Sequence, residues 1–150
     1  MPLTPATSNP LATFSFHVEL DGLDIGSFKE CSGVDSETEI IEYKEATSNG
    51  VMIIRKLPGA MKWSNITLKK SIDSQKILWD WRSQIEQGQI ASARKNGSIV
   101  LYDSTQTEVA RWNFRAGWPS TWKGANLNAG ENSVAIEEIV ITHEGLERVK

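Results

Sequence analysis

Only one stretch of this sequence has the spacing of an amphipathic helix. The ordered pattern elsewhere runs in steps of two, and that contrast confines the chain to mainly β folds. From about residue 74 to residue 87, Ile77, Leu78, Trp81 and Ile85 fall at i, i+1, i+4 and i+8 and share one face. Asp73 or Ser74 is the predicted cap at the start and Gly88 the predicted stop. At 100° per residue Trp79 lies roughly 145° from the middle of that stripe, so it points away from the face that packs on a sheet. Residues 13–20 alternate strictly, with Phe14, Phe16, Val18 and Leu20 on one side and Ser15, His17 and Glu19 on the other, and end at an Asp21-Gly22 turn. Residues 36–44 and 51–57 read as two strands joined by ATSNG, whose Asn49-Gly50 is a hairpin signal. Pro58-Gly59 is expected to break the chain, with strand character resuming over 62–70. Beyond the helix, residues 98–102, 108–115, 121–123 and 133–143 read as further strands, and 103–107 and 127–132 as turns. In the last strand the apolar phase slips between Ile136 and Ile139, which a bulge at Glu137-Glu138 would accommodate.

A length of 150 residues suits one domain. Residues 1–12 hold three of the five prolines and read as a flexible N-terminal arm, leaving 13–150 as a single β domain. With 39% hydrophobic and 23% charged residues, collagen-like, disulfide-stapled and wholly disordered chains are excluded. No apolar run approaches the ~18 residues of a membrane helix. The first basic side chain is Lys29, so the pattern predicts no secretory signal peptide and synthesis in a bacterial cytoplasm. Charge is unevenly spread. Residues 1–50 carry nine acids and two bases (−7), residues 51–100 three acids and nine bases (+6), and residues 101–150 seven acids and five bases (−2). Two readings stay open: neutralisation within one fold, or two complementary faces suited to head-to-tail assembly.

Reactive chemistry is sparse. His17 lies on the polar side of a strand, and His143-Glu144 lacks the second histidine of a zinc-binding helix, so both read as hydrogen-bonding residues and no metal site is expected. Lone Cys31 has no partner for a bridge, a zinc ribbon or a redox motif and reads as a small, buried or half-buried side chain. Glu37, Glu39, Glu42 and Glu45 form the densest carboxylate cluster; along one strand and turn they read as a solvated or charge-paired edge rather than the two carboxylates of a glycosidase. Neither a nucleophile elbow nor a phosphate loop is present, so an enzyme is the weakest class on these grounds. Six tryptophans (63, 79, 81, 112, 118, 122) leave stacking on sugar rings as an alternative, a monomeric carbohydrate-binding β-domain, against a reading that divides them between core and protein interfaces.

Taken in order, the blocks FSFHVELDGLDIGSFKECSGVDSETEIIEYKE, KLPGAMKWSNITLKKSI, LWDW, NGSIVLYD, VARWNF, GWPSTWKG and LNAGENSVAIEEIVITHEGLERV resemble the inner-tube proteins of contractile phage tails and related contractile injection systems, across about residues 13–149. The resemblance implies a β-sandwich or barrel with one flanking helix and an extended β-hairpin used for oligomerisation. It implies a homo-oligomer of hexameric rings stacked into a hollow tube, with sheath and baseplate proteins as partners and cargo or DNA passing through the lumen. Catalysis, a cofactor, specific nucleic-acid recognition and direct membrane anchoring are not part of such a role. The hairpin over residues 36–57 becomes the candidate assembly element, with Glu37, Glu39, Ile40, Glu42, Tyr43, Asn49, Val51, Met52, Ile53, Ile54, Arg55 and Lys56 as interface residues. Arms of about eight residues reach some 25 Å, too far for one small core to cover the distal half. The helix falls on the outer wall of such a tube, where Trp79 is expected to pack on an adjacent subunit or on the subunit's own outer surface. If six subunits each gave four strands to one barrel, ~24 strands at ~4.8 Å and a tilt near 40° would leave a lumen of ~35–40 Å.

Overall fold

The computed structural model describes residues 14–125 and 135–150; the expected N-terminal arm and the turn at 127–132 lie outside them. The chain opens with β1 (Ser15–Leu20), β2 (Leu23–Phe28) and β3 (Glu30–Ser32), then the long pair β4 (Ser36–Ala46) and β5 (Met52–Trp63), then β6 (Ile66–Ser71). Two helices follow, α1 (Ile77–Glu86) and α2 (Ile90–Ala93), and the chain ends with β7 (Lys95–Tyr102), β8 (Glu108–Lys123), β9 (Ile136–Thr142) and β10 (Gly145–Arg148). Among the described residues, eight strands form one antiparallel sheet in the order β2-β1-β7-β8-β9-β6-β3, with β10 beside β8, and β4 and β5 pair only with each other. The sheet does not close into a barrel. Its path ends at β2 and β3, which are consecutive in the chain, and between them Lys29 donates its N–H to the Lys69 carbonyl (2.8 Å).

What folds this open sheet over a core is β8. Two strands were expected, at 108–115 and 121–123, but one strand of 16 residues runs through GWPS. Its first half pairs with β7 and β10 and its second half with β9. Ala116 at φ 50° and a register shift between Pro119 and Thr121 bend it without breaking the ladder. Bulges are how a strand passes from one sheet layer to the next, and they also accommodate a proline that has no N–H to donate. Inside the fold lie Val18, Phe28, Leu68, Phe114 and Ile141 from the sheet and Leu78 and Trp81 from α1.

The alternation of β1 holds, with Val18 and Leu20 buried. The bulge expected at Glu137-Glu138 does not exist: β9 pairs residue for residue with β6 from Ile136↔Ser71 to Ile141↔Ile66. The apparent slip has another cause. Glu137 itself faces inward at 6% exposure, and Ile136 faces out. The Glu137 carboxylate accepts the Trp122 Nε1–H (3.3 Å) and stands opposite Lys70, also buried, whose Nζ lies 3.4 Å from Asp73 and 5.6 Å from the centre of the Phe28 ring. Partnered in this way, both charged side chains can lie inside the fold.

Helix α1 buries Leu78 and Trp81 and packs Ile77 and Ile85 against the core, as the stripe predicts, and Gly88 at φ 78° ends it. Its start differs. Lys76 occupies the cap position without a side-chain bond, while Asp73 closes a turn ahead of it by accepting the Gln75 N–H (2.9 Å). A second helix, α2, was not expected, because four residues are too few to show a period; the Ala93 carbonyl at its end accepts the buried Trp81 Nε1–H (2.6 Å). Strands β2, β3 and β10 were also not expected. Gly26 (φ 114°) interrupts the alternation of β2, and β3 and β10 have only three and four residues.

A projecting hairpin as candidate assembly surface

The β4–β5 hairpin stands on its own ladder, from Ser36↔Trp63 at the root to Ala46↔Met52 at the tip. At the turn Thr47 closes both ways, accepting Gly50 N–H at its carbonyl (2.9 Å) and Val51 N–H at its hydroxyl (3.2 Å), and Gly50 takes φ 77°; the Asn49-Gly50 signal stands. Pro58-Gly59 does not break the chain, and this expectation is corrected. Between Thr38↔Met61 and Ile40↔Pro58 the ladder places Gly59 and Ala60 opposite the single residue Glu39, a bulge on β5. Gly59 lies close to the Glu39 carbonyl, where a Cβ would sit at 3.1 Å, and Pro58 flanks the bulge, where the ladder is already irregular. Strand character is lost instead at Ser64-Asn65. The arms therefore have 11 and 12 residues rather than about eight. At ~3.3 Å per residue they reach some 35–40 Å.

All but one residue of β4 is exposed, and Ile40, Ile41, Tyr43, Val51, Met52, Ile54, Leu57 and Met61 are each about half exposed or more. Directly paired residues share a face, so Ile40, Ile54, Met52 and Met61 lie on one side with Glu42 and Lys56, while Ile41, Tyr43, Ile53 and Leu57 lie on the other with Glu37, Glu45 and Arg55. Both faces thus mix apolar and charged side chains. Asn49 sits in the turn. Ile41, Leu57 and Met61 belong to the surface although they were not among the expected interface residues; reading Pro58-Gly59 as a bulge instead of a break would have found Met61. Ile53 is less exposed than its neighbours.

Trp79 is not brought to this hairpin. It lies on α1, 38% exposed, edge-on to Trp122 with ring centres 4.9 Å apart at 65°. The other tryptophans are half-buried or, for Trp81, buried, and Trp112 and Trp122 pack against the core.

The charge blocks meet inside the subunit. Glu45–Arg55 (2.6 Å), Glu30–Lys69 (3.7 Å) and Asp21–Lys95 (3.5 Å) each join the acidic third to the basic third. Glu37, Glu39 and Glu42, by contrast, have no ion pair among the described residues. Arg111 bridges Glu19 and Glu108 at 2.7 Å each, raising its own pKa, and its hydrogen bond to Glu108 holds that carboxyl below the usual range. His17 meets Asp24 (3.1 Å). Burial pushes the Cys31 thiol up to about 11, so it is no thiolate nucleophile near neutral pH. Among the described residues no group of three or more His, Cys, Asp and Glu is placed to hold a metal ion. No helix there is long and apolar enough to cross a membrane.

The edges of the main sheet are guarded. β2 carries a bulge at Ile25-Gly26 opposite Val18, and β3 is three residues long. Among the described residues the outer edges of β4 and β5 pair with no other strand.

Comparison with known proteins agrees with this architecture. The family model described as T4-like virus tail tube protein gp19 matches residues 12–147. A chain of the sheath-tube complex of PVC, an extracellular contractile injection system, in the extended state is 25% identical with a TM-score of 0.80, covering 98% of each chain. A chain of the sheath/tube terminator of the same kind of system is 25% identical with a TM-score of 0.75, covering 100% of this chain and 98% of that one. Hcp1 from Flavobacterium johnsoniae shares the fold at 13% identity and a TM-score of 0.56, covering 90% of this chain and 94% of that one. No curated protein sequence matches.

Proposed function

Since this chain belongs to the T4-like virus tail tube protein gp19 family and is a structural tube subunit of a contractile tail or injection system, we propose that it builds that tube from six-membered rings stacked head to tail, coupled by the β4–β5 hairpin. One observation carries the reading: a hairpin of some 35–40 Å that, among the described residues, pairs with no other strand and exposes apolar side chains on both faces. A bare edge of that length invites uncontrolled pairing unless a fixed neighbour covers it. A neighbouring subunit supplies strand edges for the backbone and apolar surface for Ile40, Val51, Met52, Ile53 and Ile54. Glu37, Glu39, Glu42, Asn49, Lys56 and the Tyr43–Arg55 pair set the register, and the ring order makes the contact heterologous. Sheath and baseplate proteins surround and seat the tube, the sheath drives it through a target envelope, and cargo or DNA passes through the lumen. The family and its structural neighbours are structural tube proteins rather than enzymes.

Replacing residues 46–53 with a short Gly-Ser turn tests the coupling. The expected product is a folded, β-rich monomer that no longer forms the rings or rods seen for the unaltered chain by negative-stain electron microscopy. Normal rods from that variant would exclude the hairpin tip as the coupling element, and an unfolded subunit would place it in the core.

A further inference from the structure

We propose that His143 is a positioning residue that fixes where the hairpin leaves the body, and that protonation of its imidazole releases the hairpin root. His143 sits between β9 and β10, half-buried. Its Nε2 is 3.1 Å from the Ser64 carbonyl oxygen, and its Nδ1 is 3.2 Å from the Gly145 backbone nitrogen. A backbone N–H always donates and a carbonyl always accepts, so Nδ1 is bare and Nε2 carries the proton. Only one state of the ring, a neutral imidazole in that single tautomer, satisfies both contacts. A second proton on Nδ1 would face the Gly145 N–H donor to donor, and the ring must then let go of Gly145 or turn and drop Ser64.

Ser64 and Asn65 link β5 to β6 and are the return end of the hairpin. Three contacts converge on that link. His143 holds Ser64, and Thr142 Oγ1 donates to Asn65 Oδ1 (3.2 Å). Gly33, just before β4, lies against the Asn65 carbonyl at φ 85°, where any side chain would overlap it. Both ends of the hairpin therefore meet at Asn65, and His143 is the titratable group of this cluster. The charged groups nearest along the packed elements are Glu144 beside it, Arg115 of β8, which lies against Gly145 and donates to the Glu144 carbonyl (3.5 Å), Glu147 of β10, and Lys62 and Asp35 at the hairpin root. None of the carboxylates forms an ion pair with the imidazole among the described residues. The Phe114 ring covers it at 6.2 Å, and burial holds its pKa below the ordinary histidine value. The sign follows: the latch contributes fully above the unfolded histidine pKa of ~6.5 and is lost as the pH falls through the lower folded value.

Consequences for assembly rest on the hairpin being the coupling element, so root and rods are read separately. Hydrogen exchange of the full chain, kept dilute enough to stay unassembled, reports protection at the Gly145 amide, which donates to the ring, and at the β5 amides nearest the root, relative to β1 and β9. Between about pH 7.5 and pH 5 the unaltered chain should lose about three- to tenfold in root protection, the worth of one hydrogen bond. His143→Gln, which cannot titrate, should show a flat profile, and His17→Gln should keep the unaltered profile, since these are the two histidines. A flat profile for the unaltered chain, or a His143→Gln profile equal to it, overturns the proposal. If the root loosens as expected while rods form equally well at both pH values, the latch stands and the coupling role of the hairpin fails.

Discussion

Trp79 and Trp81 sit two residues apart on α1 and differ in almost every physical respect. Trp81 is 3% exposed and gives its Nε1–H to the Ala93 carbonyl, so truncating it opens a cavity and orphans a buried acceptor. Trp81→Ala should lower the stability of the unassembled subunit by ~3–5 kcal/mol in urea unfolding. Trp79 meets Trp122 edge-on and is otherwise partly in solvent, so Trp79→Ala should cost only ~1 kcal/mol, the worth of one aromatic pair. Equal losses would mean that the two helix faces are misassigned. Arg111 offers a second test. It holds the Glu108 carboxyl below its usual pKa, so that contribution is present above the unfolded glutamate value and disappears as the pH falls through the lowered one. Arg111→Gln should be less stable than the unaltered chain at neutral pH, and the gap should close below about pH 4, as followed by unfolding at stepped pH.

At the scale of elements, the distal hairpin is set apart from the body, because among the described residues its strands pair only with each other. If it couples subunits as proposed, a substitution there acts on association rather than folding. Ile54→Ser, at a position 58% exposed, should leave the urea-unfolding free energy of the dilute subunit within ~0.5 kcal/mol of the original while slowing or abolishing rod growth in light scattering. A large loss of subunit stability would show that the hairpin folds back onto the core. The bulge at Gly59-Ala60 absorbs one extra residue on β5, so the pairs on either side of it keep to the alternation of β4. Deleting Ala60 restores a regular ladder with Pro58 still opposite Ile40, so the faces of Met52–Pro58 are kept and only the local bend is lost. Straightening the strand re-aims the distal hairpin, so such a variant should keep its β content by circular dichroism and lose ordered rods.

For the whole molecule, the guarded edges of the eight-stranded sheet and the open edges of the hairpin divide the work. Among the described residues the sheet ends in short or bulged strands, and on the proposed reading a neighbour covers the hairpin. If four strands per subunit enter a shared barrel, uniform rods with a bore of ~35–40 Å should appear in negative stain. A chain that stays monomeric at high concentration would exclude the tube.

Local pattern by itself determined a good part of this protein. The alternation of residues 13–20 placed Val18 and Leu20 inside, the stripe of α1 separated Trp81 from Trp79, and Asn49-Gly50 turned the hairpin, because each depends on periodicity or turn chemistry within a few residues. The order of motifs carried the family. Only the tertiary structure decided the rest. Glu137 read as a break in phase until Trp122 and Lys70, distant in sequence, made it a core residue. Pro58-Gly59 and GWPS read as stops, since glycine and proline weaken a strand locally; a bulge opposite Glu39 and the pairing of β8 with both β7 and β9 keep them in their ladders. The reach of the hairpin depends on a bulge opposite a residue about 20 places away, and the latch at His143 on a partner 79 residues away; contacts of that span leave no periodic trace in the chain.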